Sequence, residues 1–196
     1  ATDSADNTTT VTQTLVIDTT DPALAITSGA LSNDATPTVS GTADADASIS
    51  AVIAGATYAT TATNGAWSVD TATATPSSGT LALNENGNNS VSVTATDSAG
   101  NTTTVTQTLV IDTTGPALAI TSGALSNDAT PTVSGTAEAG ITVTAIIAGA
   151  TYATTATNGT WSVDTGTATP SSGTLALNEN GNNFVSVSTS ADSAGN

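Results

Sequence analysis

Along much of this chain, apolar side chains take every second position and Thr, Ser or Asn the positions between them. A period of two is the mark of a strand with one face buried and the other in water. Such segments are separated by Gly, Asn, Asp and Pro at intervals of roughly ten residues, the rhythm of an all-β sandwich. No stretch follows a helical period. The pattern predicts strand A near Ala23 to Thr27, B near Pro37 to Thr42, C near Ser48 to Ala54 and C′ near Thr57 to Thr61. Asn64-Gly65 predicts a type I′ hairpin turn, because Asn and Gly tolerate the positive φ that this turn demands. Strand E is expected to carry Trp67 and Val69 on one face, F to carry Val91, Val93 and Ala95, and G to run from Thr102 to Ile111 with Val105, Leu109 and Ile111 inward. A Trp in such a strand is expected to fill the core rather than to stack on a sugar.

The whole pattern occurs twice. Asp18-Thr-Thr-Asp-Pro22 returns 94 residues later as Asp112-Thr-Thr-Gly-Pro116, and Gly41 with Gly135, Tyr58 with Tyr152, Trp67 with Trp161 and Glu85 with Glu179 keep the same offset. The register slips by one residue only at Ser188 to Ala191. Near-identity over a domain length indicates duplication within an array. Residues 1–17 are therefore expected to be the last turn and G strand of a preceding copy, 18–111 a first full domain, and 112–196 a second one without a G strand of its own. The chain opens inside the repeated motif and reads as a stretch of a longer array.

Charge changes the picture next. There are 16 Asp and Glu residues and no Lys, Arg or His, so the formal charge of −16 has no internal cation to balance it. Nucleic acid is excluded as a partner, since binding it takes cationic side chains that release counterions from the phosphates. An anionic membrane is excluded likewise, and no apolar run reaches the length of about 18 residues that a spanning helix needs. Without His, Cys or Lys there is no ordinary base for a Ser nucleophile, no Schiff base and no zinc cluster. A carboxylate pair of the glycosidase kind would have to be duplicated along with the repeat, which suits a stalk and not an enzyme. Missing Lys also removes Lys–Asn isopeptide crosslinks as a stiffening device.

Four segments carry a specific resemblance: Pro37-Thr-Val-Ser-Gly-Thr-Ala43, Asn64-Gly-Ala-Trp-Ser-Val69, Val93-Thr-Ala-Thr-Asp-Ser-Ala-Gly-Asn101 and Val110-Ile-Asp-Thr-Thr-Gly-Pro116. They resemble the bacterial immunoglobulin-like (BIg-type) tandem repeats of giant secreted adhesins of the RTX and biofilm-associated kind. The resemblance implies tandem immunoglobulin-like β-sandwich domains of about seven strands with Greek-key connections, calcium at domain junctions, export to the extracellular space or bacterial cell surface, and a role in cell adhesion and biofilm. The nonapeptide calcium repeat of toxins is absent, so this stretch reads as stalk.

In a sandwich of that topology the B–C and F–G loops lie where the chain enters and the A–B and E–F loops where it leaves. Sorting the acids accordingly gathers Asp18, Asp21, Asp44, Asp46, Asp97 and Asn101 at the leading end of the first full domain. At the second junction it gathers Asp112, Glu138, Asp192 and Asn196, with Asp34 and Glu85 facing them from the first domain's exit loops. Two carboxylates about 4 Å apart repel by roughly 4 kcal/mol at an effective dielectric near 20, and a hard divalent ion reverses the sign. Calcium accepts 6 to 8 oxygen ligands in flexible geometry, which Asp, Asn and backbone carbonyls supply, so Ca²⁺ is the expected ion at both junctions. Because Asp21 and Asp46 become Gly115 and Gly140 in the second copy, the first junction is expected to carry more charge and to bind either a second ion or one ion more tightly. Asp70 and Asp164, within strands, are read as solubility charges.

The expected partners are neighbouring repeats of the same chain. An alternative is a filament of identical chains joined head to tail, in which residues 8–17 of one molecule complete the second domain of the next by strand donation. A carbohydrate- or ice-binding module would need exposed aromatics or a flat Thr ladder, and the Thr residues here alternate with apolar ones as on an ordinary solvated sheet face.

Overall fold

The computed structural model describes residues 1–2 and 4–196, and its chain divides into two compact units. The first comprises residues 1–29, 36–83 and 89–108, and the second 30–35, 84–88 and 109–196. Every regular element among the described residues is a strand.

The first sandwich is built from β1 (Leu24–Ile26), β2 (Leu31–Ser32), β3 (Thr38–Ala43), β4 (Ser48–Ile53), β5 (Ala56–Thr61), β6 (Ala66–Asp70), β7 (Ser78–Gly79), β8 (Asn86–Thr96) and β9 (Thr102–Asp112). One sheet has the order β1-β3-β6 and the other the order β2-β9-β8-β4-β5-β7. In β4 exposed and buried residues alternate strictly, with Ile49, Ala51 and Ile53 inward at 2% exposure or less. The expected inward residues of E and F, namely Trp67, Val69, Val91, Val93 and Ala95, are all buried. Of the three on G, Leu109 and Ile111 are buried, while Val105 is only half-buried.

Asn64 and Gly65 both have positive φ, 52° and 81°, and Thr63 and Ala66 exchange both backbone hydrogen bonds across them, as a type I′ turn requires. The hairpin stops at that single rung because β5 and β6 belong to different sheets. Gly41 pairs with Ile26 of β1 and Trp67 of β6. A Cβ there would collide with the Ala25 carbonyl oxygen and lie 2.8 Å from Trp67 Cζ2, so only glycine lets the outer strand and the indole approach together.

Strand A is broken in two. β1 pairs antiparallel with β3, and after a crossover β2 runs parallel to β9, matching Leu31 with Val110 and Ser32 with Ile111. Gln107 of β9 secures the crossover by donating from Nε2 to the carbonyls of Ser28 and Gly29 at 3.4 and 3.1 Å.

The second sandwich repeats this plan with β10 (Leu118–Ile120), β11 (Thr132–Ala137), β12 (Thr142–Ile147), β13 (Ala150–Thr155), β14 (Thr160–Asp164), β15 (Ser172–Gly173) and β16 (Val185–Thr189). Its sheets are β10-β11-β14 and β15-β13-β12-β16. Val133, Val143, Ile147, Tyr152, Trp161 and Val163 belong to one buried cluster, with Val185 and Val187 only partly covered at its margin. Among the described residues no strand pairs with the free side of β16, and none corresponds to β2.

Candidate functional site

The turn joining β8 to β9 closes on itself around Asp97. The Asp97 carboxylate accepts the N–H of Ala99 at 2.8 Å, the N–H of Asn101 at 2.9 Å and the Asn101 side-chain amide at 2.8 Å. That amide also donates to the backbone oxygen of Asp18 at 3.2 Å. Asn101 therefore bridges a carboxylate in the turn and a carbonyl in the segment that leads into the sandwich. Two further bonds hold the same segment: Thr103 Oγ1 donates to Pro22 O at 2.6 Å, and the N–H of Ala23 donates to Asp44 Oδ2 at 3.0 Å. Asp18 accepts the Thr20 N–H at 3.0 Å and so shapes its own turn.

The second copy repeats the bridge. Asp192 accepts the N–H groups of Ala194, Gly195 and Asn196 and the Asn196 amide, and the Asn196 amide donates to Asp112 O at 2.7 Å. Asp112 accepts the Thr114 N–H at 3.0 Å, as Asp18 does with Thr20. Asp112 and Glu138 line one open depression of about 450 Å³ together with Thr114, Gly115, Ala117, Thr136 and Ala137.

The remaining candidates are placed as follows. Asp21, Asp46, Asp34 and Glu85 are all exposed. Asp34 donates its N–H to Ser32 Oγ at 3.0 Å, and the Glu85 carbonyl accepts from Thr113 Oγ1 at 3.4 Å. Asp46 has a φ of 66° and its counterpart Gly140 a φ of 86°. That position demands a left-handed residue, so backbone conformation alone accounts for the Asp-to-Gly exchange there. Neither Asp21 nor Gly115 has a positive φ, and their exchange is a difference of charge alone.

Among the described residues no three carboxylates converge closely enough to hold a metal ion. Each bridge instead offers one carboxylate, one backbone carbonyl and one side-chain amide, with Asp44 beside the first and Glu138 beside the second. All are hard oxygen donors once the amide is turned about its Cβ–Cγ axis, the chemistry that suits calcium.

Asn86 was not legible as a functional residue. Its Oδ1 accepts the Thr113 N–H at 3.1 Å and the Thr114 hydroxyl at 2.8 Å, fixing the Asp112-Thr-Thr segment. It sits in an Asn- and Gly-rich stretch whose polarity reads as loop. Thr103 was likewise hidden among strand threonines.

The electrostatics follow from the hydrogen bonds. Donation from the Asn101 side chain, against partial burial and aided by the N–H groups of Asn101, Ala99 and Gly100, holds the Asp97 carboxyl below the usual carboxylate range. The Asn196 N–H and then its side chain do the same for Asp192. A folded-state value below the unfolded one, about 3.9, means that the stabilisation is complete above that pH and is lost as pH falls through the depressed value. The expected result is that the stability advantage of the native chain over Asn101→Ala, measured by denaturant titration, is constant from neutral pH to about 5 and shrinks below about 4. Taking the difference cancels the general relief of repulsion as other acids protonate. An advantage that grows on acidification would refute the assignment.

A family model described as the bacterial Ig-like domain matches residues 25–113. No curated protein is matched. Three solved structures are similar over most of this chain, which spans about half the length of each. A tetra-tandem repeat from the extending region of a large adhesion protein is 20% identical, with 89% of this chain and 49% of that one covered and a TM-score of 0.32. A calcium-stabilised adhesin that helps an Antarctic bacterium reach out and bind ice is 30% identical, covered over 97% and 54%, with a TM-score of 0.36. A 1.5-MDa bacterial ice-binding adhesin, solved for its retention at the host cell surface, is 25% identical, covered over 81% and 57%, with a TM-score of 0.34. Residues 25–113 thus match the bacterial Ig-like domain, and their sequence pattern is repeated 94 residues further on.

Proposed function

We propose that this chain is a spacer: a stretch of stalk in a large extracellular bacterial adhesin, holding a distal binding region away from the cell surface in adhesion and biofilm growth. One observation carries the reading. In both copies an Asn at the end of the F–G turn grips the backbone oxygen of the Asp that leads the chain into the sandwich, Asn101 on Asp18 and Asn196 on Asp112. A repeat that fixes its own lead-in at every period is suited to building length with restrained joints, and nothing in it is suited to chemistry on a substrate.

We further infer that calcium reinforces the grip, with Asp18, Asp44, Asp97 and Asn101 as ligands in the first copy and Asp112, Glu138, Asp192 and Asn196 in the second. Asp21 adds charge at the first site only. Asp34 and Glu85 supply charge at the second. What supports this is the unbalanced charge of −16 and the all-oxygen donor sets. Bound calcium would contribute positive charge and coordination where the amide N–H groups now stand.

Extracellular modules hold calcium at about 10⁻⁴ to 10⁻³ M, so a tenfold excess over Kd contributes about 1.4 kcal/mol per site. Titration calorimetry is expected to find binding in that range, tighter at the first site and weakened by Asp21→Gly. Small-angle scattering is expected to give a particle that is longer and less flexible with calcium than with chelator. Scattering indifferent to both chelator and the double replacement of Asn101 and Asn196 by Ala would sink the spacer reading. An absence of binding heat with scattering still sensitive to those replacements would sink only the calcium.

A further inference from the structure

The outward-facing residues of β4 all differ between the two copies. Ser48, Ser50 and Val52 of β4 correspond to Thr142, Thr144 and Ile146 of β12, so each exchange adds one carbon atom and none brings a charge. The sheet around them is uncharged as well. Neither β4, β5 and β8 nor β12, β13 and β16 contain an acid, and the acids found in other strands, Asp70, Asp112 and Asp164, are all terminal. In a chain of charge −16 this surface is kept free of carboxylates.

Each face also has an aliphatic centre. Val52, 38% exposed, lies between Thr57 of β5 and Ser92 of β8, and Ile146, 40% exposed, lies between Thr151 and Ser186. An apolar centre ringed by hydroxyls is the anatomy of a protein contact. The two faces differ in relief. On the first, Ser48, Ser50, Ala59, Thr61 and Thr96 border an open depression of about 410 Å³. On the second, Thr142 and Thr144 put the bulk of two more methyl groups at the corresponding positions.

We propose that the face of the first sandwich receives the face of the second sandwich of another copy of this chain, strand directions opposed, with Ile146 of that copy entering the depression beside Ser48 and Ser50. Two arguments name a second copy as the occupant. Hydroxyls both donate and accept, so a face of this chemistry pairs with its own kind, as Thr94 Oγ1 and Thr104 Oγ1 do within the sheet at 2.8 Å. Two chains of like charge can also meet closely only where both surfaces lack carboxylates. Acids cluster at one end of each face, Asp46 and Asp97 on the first and Glu138 and Asp192 on the second, and opposed directions keep these ends apart. Three strands about 4.8 Å apart and six residues of about 3.4 Å give roughly 300 Å² a side, the scale of a weak and transient contact. Firm association therefore needs several such contacts acting together.

The charge on each copy opposes association, so the test belongs at about 1 M salt, where the Debye length is near 3 Å. Chelator in the buffer keeps the result independent of calcium. Sedimentation equilibrium of the 196-residue chain is expected to show reversible association that rises toward about millimolar concentration. Val52→Asp with Ile146→Asp, which sets like charges in the contact, is expected to lower the association constant at least about tenfold, with circular dichroism verifying that both sandwiches stay folded. Ser48→Thr with Ser50→Thr gives β4 the outward residues that β12 already carries and so spares the fold. It fills the depression and is expected to weaken association several-fold, whereas unspecific stickiness would grow with the added methyl groups. A filled variant that associates as well as the native chain or better, or an Asp variant that associates as well, would overturn the proposal. So would a chain that stays monomeric at every concentration, whether or not it binds a neutral glycan such as dextran.

Discussion

Replacing Gly41 with Ala will lower the melting temperature of the first sandwich by roughly 10–20 °C, the equivalent of about 3 kcal/mol in a domain of this size. Two effects oppose each other. Alanine restricts the unfolded chain more than glycine does, which is worth about 0.4–1 kcal/mol in favour of folding. Against it, the added methyl would overlap the Ala25 carbonyl oxygen, a backbone atom held by the pairing of Ala25 with Thr42, and would press on the Trp67 ring. A flexible side chain could step aside, but a hydrogen-bonded main chain and a buried indole cannot, so the clash wins and β1 must separate from β3. Gly135 stands in the same position against Ala119 and Trp161. Scanning calorimetry should therefore show one transition lowered by Gly41→Ala and the other by Gly135→Ala. A shift smaller than about 2 °C in either variant would mean that strand A is not held where the pairing places it.

Trp67→Ala will cost about 3–5 kcal/mol, the usual range for emptying the site of a buried large aromatic. Trp67 is 4% exposed and Trp161 3%, and each is the second residue of its five-residue E strand. The two differ in one respect. Trp161 Nε1 donates to Ala119 O at 3.3 Å, whereas Trp67 Nε1 is buried with no partner. Replacement by Phe removes a hydrogen bond in the second sandwich and an unsatisfied donor in the first. Trp161→Phe should accordingly be the more damaging of the two by about 1 kcal/mol. Each variant leaves one tryptophan, so intrinsic fluorescence follows the unaltered sandwich while circular dichroism follows both. Equal costs for the two Phe variants would show that the indole N–H has the same surroundings in each copy.

Much of the fold was legible because the main strands bury alternate residues. Ile49, Ala51 and Ile53 announce β4 by spacing alone, and Asn64-Gly65 names its turn because few other pairs tolerate two positive φ angles. What was not legible lacked that periodicity. β2 and β7 have two residues each, too few to show any period. The start of β8, Asn86-Gly-Asn-Asn, is polar throughout and reads as loop, yet it extends the strand to eleven residues and places Asn86 against Thr113 and Thr114.

Among the candidate residues, those of the two hydrogen-bonded bridges were legible as neighbours, but their bonding was not. Sorting the loops by sandwich topology put Asp97, Asn101 and Asp18 at one end, but charge counting cannot tell that the amide of Asn101 already occupies the space between them. The Asp46 and Gly140 pair looked like a gain and loss of charge, and only the φ angles reveal a position chosen for its backbone.

The broken first strand has a mechanical consequence. Tension applied along the chain enters the first sandwich through β1 and β2 and leaves through β9, and β2 lies beside β9 with both running in the same direction. A pull on opposite termini of parallel neighbours loads their rungs in shear, so the bonds must yield together rather than peel one after another. The Gln107 bonds to Ser28 and Gly29 lie in the same load path. A two-residue patch too short to register in the alternation is thus a part of this domain that tension loads in shear.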